Sequence, residues 1–150
     1  HPHKRLRVAG AVLDDFKEVL KRMPTENVEF LGSVPQPKMV ELMSTSHVLV
    51  LPSIEEGLAL VQGQALACGC PVIASTQTGG EDLFDDQVEG FIVPLRDAAA
   101  IAQRLQQLAD DPALQQRMSE AALARVRHLG GWSEYGDRWE TLLRELTGKS

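Results

Sequence analysis

The stretch LPSIEEGLALVQGQALACGCPV, residues 51–72, places two glutamates and a glycine between an apolar run and a helical pattern. Gln64 stands eight positions after Glu56. The preceding run, HVLVLP (47–52), has no polar alternation, as in a strand buried on both faces. Ligands of open parallel sheets bind beyond the carboxyl ends of the strands. Ser53, Ile54, Glu55, Glu56 and Gly57 occupy that position. The first N–H groups of the following helix, about Leu58 to Val61, have no intrahelical acceptor and with the helix dipole suit a phosphate. Gly57 lets a ligand approach the backbone closely. A carboxylate here repels phosphate but accepts hydrogen bonds from hydroxyls, and Gln64 offers both a donor and an acceptor. Amides for phosphate beside acceptors for a polyol suit a nucleotide-sugar.

The same residues have a plainer reading. Glutamates at a helix N-terminus stabilise its dipole by ~0.3–1 kcal/mol with no ligand present. Gln64 then becomes an exposed helix residue and Gly57 a turn. Gly63 speaks for close packing against a strand or a ligand, since a mid-helix glycine costs ~1 kcal/mol relative to alanine.

These residues need a scaffold, and 150 residues suffice for one domain with a core. The apolar segments 6–11, 28–32, 47–52, 71–75 and 90–94 alternate with helical patterns through 13–23, 37–46 and the LVQGQALACG run. That order predicts an α/β fold, a Rossmann-like parallel sheet with helices on both faces. Ile101, Leu105 and Leu108 mark a further helix. A second starts near Pro112 and is expected to end at Gly130 and Gly131. A last one has Ser133 as N-cap and Trp139, Leu142, Leu143 and Leu146 as its buried stripe. The net charge of −6 argues against a nucleic-acid grip. No apolar run reaches the ~18 residues of a membrane span. The opening HPHKRLRV lacks the apolar region of a signal peptide, so a cytoplasmic chain is expected, with His1 and His3 given no chemistry. Cys68 and Cys70 are too close for ordinary disulfide geometry and lack companion metal ligands; they read as free thiols, and no metal site is expected.

The run from Leu51 to Ser75, followed by TGGEDLFDDQVEGFIVPLRD, resembles the C-terminal lobe of GT-B glycosyltransferases, and most of all the retaining family 4 (group 1) enzymes. Pro52, Ser53, Glu56, Gly57, Leu60, Ala67, Gly69, Pro71, Val72, Ile73 and Ala74 fall on that family's pattern of Pro-Ser, E-G-x-x-L and A-x-G-x-P-V-I-A. VEFLGSVPQPKMVELM is similar to its V-x-F-L-G strand and the helix after it. The resemblance implies transfer of a sugar, with retention at the anomeric carbon, from a nucleotide diphosphate donor (a UDP- or GDP-sugar) without a metal or other cofactor. It makes Glu56 the catalytic-site residue that holds hydroxyls of the donor sugar. The amides of Gly57, Leu58, Ala59 and Leu60 would meet the sugar and diphosphate, Gln64 the ribose, and the backbone near Ser33 and Val34 the base.

The chain departs from the family at several points. Gln64 replaces the second acid of E-x7-E, which weakens a charge-assisted bond to ribose. Leu58-Ala59 replaces Phe-Gly, and the glycine-rich turn after the first strand is reduced to Gly10-Ala11-Val12. The family's Arg and Lys opposite the leaving diphosphate belong to a strand–helix segment expected before His1, together with the whole N-terminal acceptor lobe. That lobe would receive the sugar, lipid or glycan acceptor, and the full-length enzyme is a candidate for peripheral attachment at the inner face of a membrane. Lys4, Arg5 and Arg7 are not expected to substitute, so the 150 residues alone are expected to be inactive as a transferase. The alternative reading is a non-catalytic nucleotide-sugar-binding or interaction module. Thr78 to Glu81 follow a strand and either shape the donor site or form a surface turn. His47 reads as a strand-edge residue, and the segment 115–129 as a packing helix rather than a membrane-surface one.

Overall fold

A computed structural model describes residues 4–129 and 131–148. The chain divides after Glu41 into two units. The first is a β-α-β unit made of β1 (Leu6–Ala9), α1 (Asp14–Leu20) and β2 (Val28–Gly32). Its strands pair in parallel, Leu6 beside Val28, with a shift of register between Val8 and Ala9. The helix is shorter than its apolar pattern. The amides of Arg22 and Met23 reach back only three residues, to Val19 and Leu20, and Pro24 disfavours helix at the residue before it. None of its residues is buried, and Leu13, Phe16 and Val19 are exposed. α2 (Gln36–Ser44) runs across the division between the units and buries Met43.

The second unit continues through β3 (Leu49–Leu51), α3 (Leu60–Ala67), β4 (Val72–Ser75), α4 (Gly80–Leu83), β5 (Gly90–Val93), α5 (Ala98–Asp110), α6 (Pro112–His128) and α7 (Trp132–Thr147). Its strands form a parallel sheet in the order β3-β4-β5, separate in hydrogen bonding from the β1-β2 pair. The expected parallel strands and crossover helices are present, then, as two sheets rather than one. Val72 sits beside Leu49 and Gly90, and Ala74 beside Leu51 and Ile92, so the carboxyl ends of all three strands lie at one edge. Successive side chains of a strand point to opposite faces. All four residues of β4 are buried, so both of its faces are covered, while the edge strand β3 is only half-buried.

The core beneath this sheet gathers Ile73, Phe91, Val93, Leu108 of α5 and Met118 of α6, with Ile101 and Leu105 packed against them. The 3.6-residue spacing of 101, 105 and 108 is what places them together. α5 and α6 both start at aspartates. Asp97 Oδ1 accepts from Ala100 N (2.8 Å) and Asp111 Oδ1 from Leu114 N (2.9 Å), caps worth ~1 kcal/mol each. Pro112 takes the first position of α6, where its missing N–H costs nothing. α6 is a packing helix, with Met118 and Ala122 buried. Among the described residues no helix is long and apolar enough to cross a membrane.

Three expectations at the C-terminal end are corrected. Gly131 does not cap α6; it opens α7, and its N–H donates to Glu134 Oε2 at 2.6 Å. The other half of the expected cap, Gly130, lies outside the described residues. Ser133 is inside α7 rather than at its N-cap. Trp139, Leu142, Leu143 and Leu146 do form one stripe, but all four are exposed rather than buried.

The Gly131 N–H holds the Glu134 carboxyl below its ordinary range. A depressed acid stabilises the fold above its ordinary value, and that contribution is lost as pH falls through the folded value. Hydrogen exchange of the Gly131 amide should therefore be faster in Glu134→Ala than in the wild type at neutral pH. The gap should close once the pH drops below the depressed value.

Candidate functional site

Parallel pairing sends the chain out of β3 and β4 at the same edge, so the segments 52–59 and 76–79 meet there. Their backbone groups need partners where the loops are buried, and they partner each other. Glu56 N donates to Gln77 O (2.9 Å), and Ala59 N to Thr78 O (3.3 Å). Gln62 Nε2 donates to the same Thr78 carbonyl at 2.7 Å. Below them, Ser75 Oγ donates to Ser53 O at 2.5 Å and Thr78 Oγ1 to Ser75 O at 2.8 Å. Both acidic-loop and glycine-loop residues are thus tied to the strand ends that carry them.

The glycines explain how closely the loops approach. Gly79 has φ +69, and a Cβ there would lie 2.5 Å from Gly57 O and 3.0 Å from Leu58 Cα. A Cβ on Gly80 would meet Gln62 Oε1 at 2.9 Å. Gly57 itself has open space around the position of a Cβ, as does Gly63. The protein's own packing demands glycine at 79, therefore, and not at 57 or at the mid-helix position 63.

Glu56 is exposed at the mouth of this platform, where its Oε1 accepts from Ser53 Oγ at 3.3 Å. Glu55 is exposed beside it. α3 begins at Leu60 with Ala59 as N-cap, and no side chain caps it. The expected run of open amides is consequently narrower. Ala59 N is already bonded to Thr78 O, whereas Leu60 N and Val61 N open the helix without intrahelical acceptors. Gln64 is half-buried, one turn further along α3. Glu56, Gly57, Leu58, Ala59, Leu60 and Gln64 all belong to this one corner of the second unit. Ser33, exposed, and Val34, half-buried, follow β2 in the first unit. Glu81 and Asp82 start α4 and are exposed.

Of the remaining candidates, His47 is exposed just before β3, and its carbonyl accepts from Gln115 Nε2 at 3.2 Å. His128 Nδ1 lies 2.8 Å from Ala124 O in the last turn of α6. Neither Cys68 nor Cys70 is in a disulfide, and Cys70 is buried. Sequence reasoning passed over Gln62. Its signal was there: positions 62, 65 and 66 share one helical face, and Gln62, Ala65 and Leu66 are each fully buried.

Gly79→Ala adds a strained dihedral and an overlap with backbone, so it should lower stability by about 2 kcal/mol or more. Gly57→Ala should stay within about 0.5 kcal/mol, because it touches nothing. Urea unfolding of both variants measures the contrast.

Comparison with known proteins follows this geometry. The D-inositol 3-phosphate glycosyltransferase of Streptomyces avermitilis is 40% identical over 105 residues, 70% of this chain and 22% of that protein. The GDP-mannose-dependent monoacylated alpha-(1-6)-phosphatidylinositol monomannoside mannosyltransferase of Corynebacterium glutamicum is 28% identical, across 95% of this chain and 39% of its own. Sucrose-phosphate synthase from Thermosynechococcus elongatus has TM-score 0.84 at 28% identity, covering 97% of this chain and 39% of that one. Anabaena HepE in complex with UDP-glucose, at 19% identity, has TM-score 0.84 over 97% of this chain and 42% of its own, a likeness of fold. This chain spans less than half the length of each of these relatives. The model of glycosyl transferases group 1 matches residues 1–125, so the fold built around the 52–59 and 76–79 loops is that of a GT-B glycosyltransferase and the chain belongs to that group 1 family.

Proposed function

We propose that this chain is the donor-binding C-terminal lobe of a retaining glycosyltransferase of the family 4 type. It would transfer a sugar from a nucleotide diphosphate to an acceptor held by an upstream lobe. The observation that carries the reading is the corner itself: an exposed Glu56 and the uncapped N-terminus of α3, held together on one hydrogen-bonded platform. In the transfer the bond between the anomeric carbon and the diphosphate oxygen breaks, the acceptor oxygen bonds to that carbon, and the acceptor's proton passes to the departing diphosphate. The nucleoside diphosphate leaves with the electron pair. The amides of Leu60 and Val61, with the dipole of α3, suit the negative charge that develops there. Glu56 accepts from hydroxyls of the sugar, and Gln64 from a ribose hydroxyl with less strength than a carboxylate. No cofactor enters this scheme.

HepE was solved with UDP-glucose and the Corynebacterium relative is named for GDP-mannose, which makes UDP- and GDP-sugars the donors to test first. The acceptor, whether a sugar, lipid or glycan, belongs to the upstream lobe, as does any attachment to the cytoplasmic face of a membrane. Positive charge opposite the diphosphate would come from an upstream segment, which leaves this chain alone without turnover. A second reading, a nucleotide-sugar-binding module without catalysis, is favoured by one observation: an amide, Gln64, at the position of the family's second carboxylate.

Calorimetry with UDP, GDP and their sugar conjugates tests the assignment. Glu56→Ala should weaken the matching nucleotide-sugar about tenfold and leave the free nucleotide within about twofold, because Glu56 meets the sugar only. Gln64→Glu should tighten both. Absence of nucleotide binding in a protein that also carries the upstream lobe would contradict the enzyme reading, and robust turnover by these 150 residues would contradict their inactivity alone.

A further inference from the structure

Gln62 is fully buried at the third position of α3, where a long polar side chain ordinarily reaches back to the N-cap amide. Here the N-cap amide, Ala59 N, goes to Thr78 O instead, and Gln62 Nε2 goes to that same carbonyl at 2.7 Å. The partner lies sixteen residues away, in the loop after β4. Gln62 Oε1 has no hydrogen-bond donor among the described residues and faces Gly80, where a Cβ would come within 2.9 Å. A buried amide with one end orphaned is unfavourable for packing alone, since an apolar side chain of the same shape would avoid the orphan. Its retention therefore points to the bond its other end makes.

We propose that Gln62 is a positioning residue for the donor site: its side-chain amide fastens the Thr78–Gly80 loop to the first turn of α3. That bond fixes the place of Glu56 and of the Leu60 and Val61 amides. The chain of contact is explicit. Thr78 O takes Gln62 Nε2 and Ala59 N, its neighbour Gln77 O takes Glu56 N, and Gly79 rests on Gly57 O. Releasing Thr78 loosens the loop at Glu56 and Ala59 together, while Ser75 Oγ still holds Ser53 O. The proposal rests on the donor-site reading for its ligand, but the tether is a property of the protein without one.

Two variants and one measurement on the wild type test it. Gln62→Met has nearly the same shape and removes the donor and the orphaned acceptor together, so thermal stability should change little. Gln62→Glu replaces the donor with a carboxylate facing the Thr78 carbonyl and should be worse in every assay. Without nucleotide, the Glu56 and Ala59 amides of Gln62→Met should exchange at least about tenfold faster than in the wild type. Its affinity for UDP, or for GDP if GDP is the nucleotide bound, should fall about tenfold. A side chain that served packing alone would move the melting temperature and leave these two readouts in proportion to it. Unchanged amide exchange in Gln62→Met overturns the tether whether or not nucleotide binds. Faster exchange with unchanged nucleotide affinity overturns the positioning role. Should the wild type bind neither nucleotide, the donor-site reading fails while the exchange data still decide the tether. If Gln62→Met does not fold, the side-chain amide resonance of wild-type Gln62 decides: it should exchange slowly and shift on saturation with the nucleotide. A rapidly exchanging or unmoved resonance overturns the proposal.

Discussion

The carbonyl of Thr78 is the point on which the corner at the carboxyl ends of β3 and β4 depends. Two loops leave parallel neighbouring strands at one edge, and they are buried there at Ala59 and Thr78. Buried polar groups must be paired. Thr78 O meets that requirement for two donors at once, the backbone of Ala59 and the side chain of Gln62. Everything that faces outward from the corner inherits its position from this contact. Glu56 is placed through Gln77, and the start of α3 through Ala59. The left-handed Gly79, pressed against the Gly57 carbonyl, is the consequence of bringing the loops that close.

The architecture suits negative ligands without being a basic surface. The chain carries a net charge of −6, so in the proposed donor site its own attraction for a diphosphate would come from oriented amides and the dipole of α3 rather than from a field of lysines. Such a site discriminates by geometry. In the proposed site Glu56 would repel an anion that drifts toward it and accept from a hydroxyl in the same place, which would separate the sugar end of a donor from its phosphate end. A parallel sheet with helices hosts many chemistries; membership of the group 1 family is what narrows the proposal to glycosyl transfer.

Much of this was legible in the sequence because it depends on local pattern. The unalternating runs around Val50 and Ile73 marked parallel strands, and the spacing of Ile101, Leu105 and Leu108 marked a core-facing helix. The PSIEEGLAL run marked the loop at the strand end. What stayed hidden depends on contacts between distant segments. Gly57 reads from the sequence as a place for a ligand to approach and Gly63 as one for close packing against a strand or a ligand; the protein's own packing instead requires glycine at Gly79, because only the folded loop brings the Gly57 carbonyl against it. Gln62 was passed over because its partner is a backbone carbonyl in another loop, and no side-chain pattern announces a carbonyl. The stripe on α7 was readable as periodicity, but periodicity does not say what covers it; Leu142 and Leu143 are exposed. The division into two sheets was likewise invisible, since apolar runs record burial and not which strands share hydrogen bonds.

The central claim is that the loops after β3 and β4 act as one donor-binding platform. Titration of the isotopically labelled protein with UDP-glucose and GDP-mannose, followed residue by residue by nuclear magnetic resonance, tests it most directly. The account predicts that amides of Glu56 to Val61 and of Thr76 to Gly80 shift together along one binding curve. Shifts confined to one of the loops, or gathered elsewhere on the protein, would contradict it.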